Sequence, residues 1–492
     1  GLLLVAAAGG VPRAALSAAW AVPGYLVCGV ALLAAMRGPV PAPVRHGFAR
    51  ASGAVQVLAV AWALPVVVVA LLGPFGWTAR IWSGAPQDMR AAVTVDAPWP
   101  PHAATAALVL AVVAAVAAGV ARTPTAWCAQ AAAGAVALAW ASALVLPATL
   151  ELPYAAGLFA QGLTAAAMLA VAACARRTPV SATALLLSLL TAAGLALLSL
   201  PSRGATVAVP AALTALLAVA AVRGRLTAVC ASASLAAATG LACAVGAVAG
   251  LPAAHIALPV LAVSAAAAVL AARVPGAAVP VEAMGALSGL VAIGLAVTDG
   301  PVLALVLALC GVVAAGTALR ADRRGAGYVA AALFVPAAWV RLACWSVGAP
   351  EAYALAVTVP ALAVGFVRRH RDPLASSWTA YGPGLSATLV PSLLTAWGDA
   401  DRPRPLLLGA VALALTLLGA RHRLQAPLVL GGGVLVLDAL HELAPYLVQL
   451  AGILPRWLPP ALAGLLLLSV GATYEQRIRD ARRVREALGR MR

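Results

Sequence analysis

The chain has 492 residues, of which 64% are apolar and 10% are charged. A typical soluble domain carries about 25% charged residues, so this composition excludes a series of ordinary soluble domains. A membrane-spanning helix needs about 20 residues, and the length therefore predicts about 17 spans joined by short connections. The formal net charge of +17 does not indicate nucleic-acid binding, because no soluble basic domain is present to carry such a surface.

Apolar runs separated by arginine, proline or glycine predict an all-α, polytopic integral membrane bundle. Residues 1–121 hold the first three spans and a long outer loop, 74–102. Region 122–473 is predicted to contain tandem helical hairpins of about 50 residues. Residues 474–492 form a basic amphipathic tail, expected to lie on anionic lipid headgroups.

The predicted spans follow one another closely, and a short apolar stretch at 443–457 is expected to lie at the outer interface instead of crossing. In chain order the spans are Ala14–Met36, Ala51–Gly73, Ala103–Ala121, Thr125–Leu146, Tyr154–Ala175, Val180–Leu200, Ala205–Val222, Leu226–Ala249, Pro252–Ala272, Ala283–Val297, Pro301–Leu319, Gly327–Val347, Ala352–Val367, Ala380–Trp397, Pro405–Ala420, Gln425–Leu440 and Leu458–Thr473.

The distribution of arginine predicts the orientation. All 32 basic residues are arginine; 17 lie in connections on one side and seven on the other, with seven more in the tail. Positive charge collects on the cytoplasmic side of bacterial membrane proteins. The sequence therefore predicts a multi-pass protein of the bacterial plasma membrane, with its N-terminal end outside and its C-terminus in the cytoplasm. Most acidic residues fall on the opposite, outer side.

Cofactor and metal motifs are absent from the sequence. The seven cysteines lie apart inside apolar runs without a CxxC pair, which is typical of small core residues. Phosphate-binding loops, HExxH and GxSxG do not occur. We therefore predict no cofactor, no metal and no catalytic residue, and the oligomeric state is left open.

Ionisable side chains inside predicted spans are the main candidates for a functional site, because each costs about 2.5 to 3.5 kcal/mol on insertion scales. Arg341 lies about seven residues inside its span, with Glu351, Asp438 and Glu442 as candidate partners at similar depth. One interpretation is an arginine that reaches the outer headgroups or forms a structural ion pair. The other is an anion or headgroup site in an outer cavity.

A second candidate is the cluster Asp438, His441 and Glu442, whose i, i+3, i+4 spacing places the three residues on one helical face. This face is interpreted either as a polar helix end at the outer interface or as a proton or cation site. Asp88 and Asp96, in loop 74–102, are the further candidates, since membrane-embedded transferases commonly carry an acid in an early outer loop.

Several short motifs of the last third resemble a family of large multi-span membrane proteins of actinobacteria. The resemblance covers roughly Gly327–Arg492, and it implies a multi-span inner-membrane protein without implying an activity or a catalytic residue. The motifs are Gly348-Ala349-Pro350-Glu351-Ala352-Tyr353, Ser376-Ser377-Trp378, Tyr381-Gly382-Pro383-Gly384, Leu424-Gln425-Ala426-Pro427-Leu428-Val429-Leu430, Glu442-Leu443-Ala444-Pro445-Tyr446 and Gly471-Ala472-Thr473-Tyr474-Glu475, followed by the arginines of the tail.

Three functional hypotheses remain open on these grounds. The first is transport or flipping of an envelope-related or lipid-linked solute, which the many spans and the charges near the outer face favour. The second is a scaffold or envelope-assembly protein without chemistry. The third is a membrane-embedded transferase acting on lipid-linked substrates, which is the least supported, because the loop acids lack a surrounding cluster of histidines.

Overall fold

The computed structural model describes residues 18–36, 38, 41–123, 127–176, 178–223, 227–371, 376–398 and 403–453, together with 461, 464, 465 and 468. These residues are overwhelmingly helical, and no β-strand occurs among them. Two segments in this described part form an isolated antiparallel bridge, between Asp88 and Pro153. The predicted all-α fold is confirmed.

The chain divides into two packed units, residues 1–295 and 296–492. The helices of the first unit are α1 Ala18–Ala35, α2 Ala42–Leu72, α3 Met89–Val93, α4 Ala106–Ala121, α5 Cys128–Thr149, α6 Tyr154–Cys174, α7 Thr178–Leu198, α8 Arg203–Arg223, α9 Thr227–Val248, α10 Ala253–Arg273 and α11 Ala278–Ala296. Those of the second are α12 Gly300–Ala318, α13 Ala326–Cys344, α14 Pro350–Arg371, α15 Ser377–Gly398, α16 Pro403–Arg421 and α17 Gln425–Ile453.

Fourteen helices in the described part of the chain are long and apolar enough to cross a bilayer. Backbone groups in a bilayer need internal hydrogen bonds, which a helix supplies within itself. The chain is therefore a polytopic membrane protein. Every predicted span except the last coincides with one of these helices or with α1 or α15. The predicted span Leu458–Thr473 is described at only four positions, and the tail 474–492 lies outside the described residues.

Helices pack most extensively in consecutive pairs. The six pairs with the largest contact are α4–α5, α6–α7, α8–α9, α12–α13, α14–α15 and α16–α17. Each pair carries arginine in the turn that joins its two helices or in the last helical turn before it. The unit of packing is thus a helical hairpin closed at its arginine-bearing turn, whereas an origin of these hairpins by duplication stays a prediction.

Small residues and hydroxyl groups allow these helices to pack closely. The Ser264 hydroxyl of α10 donates to the Gly285 carbonyl of α11 at 2.7 Å, and Trp140 of α5 donates to Thr191 of α7 at 2.8 Å. A Cβ placed on Gly285 would lie 2.8 Å from Ala267. Small side chains let the backbones approach, as in other membrane bundles.

Three helices extend beyond their predicted ends. Helix α2 begins at Ala42, so the predicted connection 37–50 is largely helical. Helix α11 begins at Ala278 and contains Glu282, which was predicted to lie in a connection. Helix α17 continues to Ile453 through Pro445, so residues 443–453 belong to the helix of the preceding span, and their position at the outer interface stays a prediction. Proline is tolerated inside membrane helices because neighbouring groups satisfy the freed carbonyl.

Candidate functional site

The site lies in the second unit, where the middle of α17 meets the end of α15 and the first half of α16. Three helices form a common apolar core there, to which α15 contributes Leu393 and Ala396, α16 Leu408 and Ala412, and α17 Val434. Asp438 follows Val434 by one helical turn, so its side chain continues the buried face of α17. A carboxyl group therefore occupies a position that the packing pattern assigns to an apolar residue.

Asp438 is 6% exposed, which makes it the most buried acid among the described residues. Its Oδ1 atom is buried and has no hydrogen-bond partner. Its Oδ2 atom faces Gly409 of α16, where an added Cβ would lie 3.2 Å from that oxygen. An ionised carboxylate without a partner is costly in an apolar environment, so this group needs a proton, a cation or a donor that the packing does not supply at Oδ1.

His441 lies one turn beyond Asp438, nearer the end of α17, and its ring stacks on Trp397 at the end of α15. The ring centroids are 5.3 Å apart, and the planes differ by 24°. His441 is exposed and Trp397 is 38% exposed. Glu442 is exposed on the adjacent position. The stacked rings therefore lie one turn from the buried carboxyl, where α17 leaves the three-helix core, and we call Asp438, His441, Trp397 and Gly409 the Asp438 site.

A two-point ion pair lies at the starts of α14 and α16. The Nε of Arg404 is 3.0 Å from Oε1 of Glu351, and a terminal guanidinium nitrogen of Arg404 donates to Oε2 at 3.3 Å. Both side chains are 33% exposed. The planar guanidinium matches the carboxylate at two points, so this contact fixes the beginnings of two neighbouring helices relative to each other.

Arg341 is not brought into this group. It lies on an exposed face of α13, and its guanidinium carbon stands 4.7 Å from the ring centroid of Trp345, one turn later. Glu351, one of its candidate partners, pairs with Arg404 instead. The cation–π contact is the type expected of an arginine at the edge of a bundle. The structure therefore places Arg341 apart from the buried carboxyl, whereas Glu442 stays one turn from Asp438 on α17, in an exposed position.

The loop acids of the first unit hold the local fold. Asp88 caps the short helix α3, because its Oδ1 accepts a hydrogen bond from the Ala91 amide at 2.8 Å. Asp96 pairs with Arg80 at 3.1 Å, with more than half of each side chain exposed. Both carboxylates have a partner within loop 74–102.

Loop 74–102 is docked on the helix ends by α3. The guanidinium of Arg90 forms an ion pair with Glu151 and donates to the carbonyls of Ala148 and Thr149 at 3.3 Å each, at the end of α5. It also stands over the ring of Trp99, 5.3 Å from its centroid. Arginine near a helix C-terminus satisfies free carbonyls and interacts favourably with the helix dipole. Loop 74–102 is therefore packed against the end of α5.

Sequence reasoning identified Asp438 and His441 but missed three residues that surround them: Trp397, Gly409 and Arg404. Each is placed by contacts between helices, so no local spacing pattern indicates it. In the described part of the chain, no group of three or more His, Cys, Asp and Glu side chains is close enough to hold a metal ion.

No protein-family profile, curated protein or solved structure matches the chain. The resemblance to actinobacterial membrane proteins therefore stays a prediction, and the functional argument rests on the geometry of the Asp438 site.

Proposed function

We propose that the chain is a transporter of the bacterial plasma membrane, which moves a polar, envelope-related or lipid-linked solute and uses the Asp438 site of its second unit. The observation that carries this proposal is that Asp438 is buried in a membrane-spanning helix and that its Oδ1 has no hydrogen-bond partner. Such a group is costly in a bilayer, and in membrane proteins it marks solute or ion pathways.

The surroundings of Asp438 support a site that changes its occupant. A structural carboxylate is normally satisfied by fixed donors, as Glu351 is by Arg404. Asp438 instead has one oxygen against a glycine and one without a partner, one turn from the stacked rings of His441 and Trp397. A buried acceptor without a fixed donor is the kind of group that can bind and release a ligand.

The orientation proposed for this transporter follows from its arginines. The arginine-bearing turns of the hairpins lie in the cytoplasm, and the Asp438 site, which is level with the opposite end of α15, lies towards the outer side. A membrane-impermeant maleimide added to intact cells is then expected to label a Ser83→Cys variant above the background of the native cysteines, and not a Thr123→Cys variant. Labelling of Thr123→Cys alone would reverse the orientation.

The two alternatives have less support. The scaffold hypothesis gives no reason for an unpartnered carboxyl in the core of a helix bundle. The transferase hypothesis relies on Asp88 and Asp96, which are engaged by the Ala91 amide and by Arg80. An acid that holds its own loop is less available as a base or a metal ligand.

The experiment is a solute screen followed by uptake. The purified full chain is tested for thermal stabilisation by amino acids, sugars, organic anions, nucleosides and lipid-linked saccharides, and stabilising solutes are then offered to proteoliposomes. We expect uptake by the wild type and by Glu442→Gln, and its loss in Asp438→Asn. Uptake that is equal in Asp438→Asn would remove the site from transport, and failure of every solute would favour the scaffold.

A further inference from the structure

We infer that the Asp438 carboxyl binds and releases one proton during each transport cycle, and that the stacked rings of His441 and Trp397 cover it. This inference rests on the transport function proposed above and names the ion to which that function is coupled. Proton binding converts the carboxylate to a neutral acid, and the proton returns to solvent when the acid ionises. No other atom changes its bonding.

The ligand chemistry favours a proton over a metal cation. Hard cations take several oxygen ligands at once, usually from two or more carboxylates and from carbonyl groups. Apart from Asp438, α17 offers the carboxyl of Glu442, which is exposed, and the described residues include no group of three His, Cys, Asp or Glu side chains that could hold a metal ion. A proton needs one acceptor only, and Oδ1 is an acceptor without a partner.

The charged groups on the neighbouring helices do not change the preference for a proton over a metal cation. On α15 the titratable side chain is Tyr381, four turns before Trp397. On α16 the charged residues are Arg404, which pairs with Glu351, and Arg421, at the opposite end of the helix. On α17 itself His441 and Glu442 follow Asp438 within four residues. No ion pair joins Asp438 to a cation in the part of the chain that the structure describes.

His441 lies three residues from Asp438 on the same face of α17 and is exposed. Stacking on Trp397 holds this ring in place at the end of α15. Chains of acidic and histidine side chains carry protons in membrane pumps and transporters. The arrangement therefore places a histidine of the type found in such chains one turn from the buried proton acceptor.

Gly409 provides a second, steric feature of the site. A Cβ at this position would stand 3.2 Å from Oδ2 of Asp438, which is tight for a non-bonded contact. Substitution Gly409→Ala is therefore expected to displace the carboxyl without removing it. Gly433, on the exposed face of α17, has no atom within 4 Å of such a Cβ and gives the matched control.

The direct test uses dicyclohexylcarbodiimide, which forms a stable acylurea with a protonated carboxyl in an apolar environment. The purified full chain is treated at several pH values in sodium chloride or in choline chloride, and fragment mass spectra locate the adduct. We expect an adduct on Asp438 that decreases as the pH rises and is equal in the two salts. Protection by sodium would overturn the inference in favour of a sodium site, and absence of an adduct at every pH would overturn it outright.

Variants make this result specific. Asp438→Asn is expected to abolish the adduct, Gly409→Ala to slow its formation, and Gly433→Ala to leave it at the wild-type level. Equal labelling in Gly409→Ala and the wild type, with both folded, would contradict the geometry of the site.

A second measurement separates the proton from the transport function. Proteoliposomes loaded with a pH-sensitive dye are given a potassium gradient and valinomycin, and proton uptake is followed with and without a solute identified by the screen. Solute uptake with no accompanying proton, and unchanged in Asp438→Asn, would refute the proton and leave transport standing. A pH-dependent adduct on Asp438 without uptake of any solute would support proton binding while refuting transport.

Discussion

Replacing Asp438 with leucine should stabilise the fold and abolish function at the same time. Leucine has the branched shape of aspartate, with two methyl groups in the places of the two carboxyl oxygens. The residue is 6% exposed and follows Val434 in the apolar core of α15, α16 and α17. The substitution therefore exchanges a buried polar group for an apolar one of similar shape and opens no cavity.

The magnitude follows from insertion energies. An aspartate at the centre of a membrane helix costs about 2.5 to 3.5 kcal/mol, while leucine contributes about −0.3 to −0.6 kcal/mol. The full difference of about 3 to 4 kcal/mol applies to the middle of a span, and Asp438 lies near the middle of α17. Contact with Gly409 leaves little extra room for the methyl groups, and overpacking costs about 1 kcal/mol or more. We therefore expect a net stabilisation of about 2 kcal/mol.

The assay is equilibrium unfolding of the purified chain by sodium dodecyl sulfate in mixed micelles, followed by circular dichroism. Glu442→Leu is the control, because Glu442 is an exposed acid one turn along the same helix, and its replacement should change the unfolding free energy less. The reasoning would be refuted by a destabilisation of 1 kcal/mol or more in Asp438→Leu, since about that loss is expected when a satisfied buried hydrogen bond is removed.

Two further predictions concern contacts that hold each unit. Gly157→Ala should destabilise the first unit by about 1 to 3 kcal/mol, because its Cβ would overlap the buried Met89 side chain. In a Met89→Ala background, Gly157→Ala should instead stabilise the unit by up to about 1 kcal/mol, and so should Gly162→Ala at an uncrowded position. A stabilising effect of Gly157→Ala in the wild type would show that loop 74–102 is not docked at Gly157. A double-mutant cycle of Glu351→Gln and Arg404→Gln should give a coupling of about 1 kcal/mol, weaker in high salt, and a coupling of zero would mean that the pair contributes nothing.

The helical fold was predictable because hydropathy over about 20 residues is a strong signal that does not depend on tertiary contacts. Helix ends were less predictable for the same reason. The span predicted to end at Leu440 belongs to α17, which continues through Pro445 to Ile453. The polar start of α2, which includes Arg45 and Arg50, was read as a connection because it is not apolar. Hydropathy locates the membrane-embedded part of a helix and not its full length.

The candidate site was predictable only in part. The spacing of Asp438, His441 and Glu442 placed them on one face, but it did not show which of them is buried. The structure buries Asp438 and leaves the other two exposed, because α17 leaves the three-helix core after that turn. The pairing of Glu351 with Arg404, 53 residues apart, depends on the packing of α14 beside α16 and has no local signature.

Asp438 determines how the three functional hypotheses compare. A domain is stable by about 5 to 15 kcal/mol in total, so a buried carboxyl that costs about 2 to 3 kcal/mol is a large local penalty. A scaffold is consistent with that penalty if fixed donors offset it, as Arg404 does for Glu351, but Oδ1 of Asp438 has no such donor in the described structure. A transferase would place its acid in the outer loop, where Asp88 and Asp96 already have structural partners. Reversible occupation by a proton accounts for an acceptor that is both buried and vacant, because the same oxygen must be free when the proton leaves.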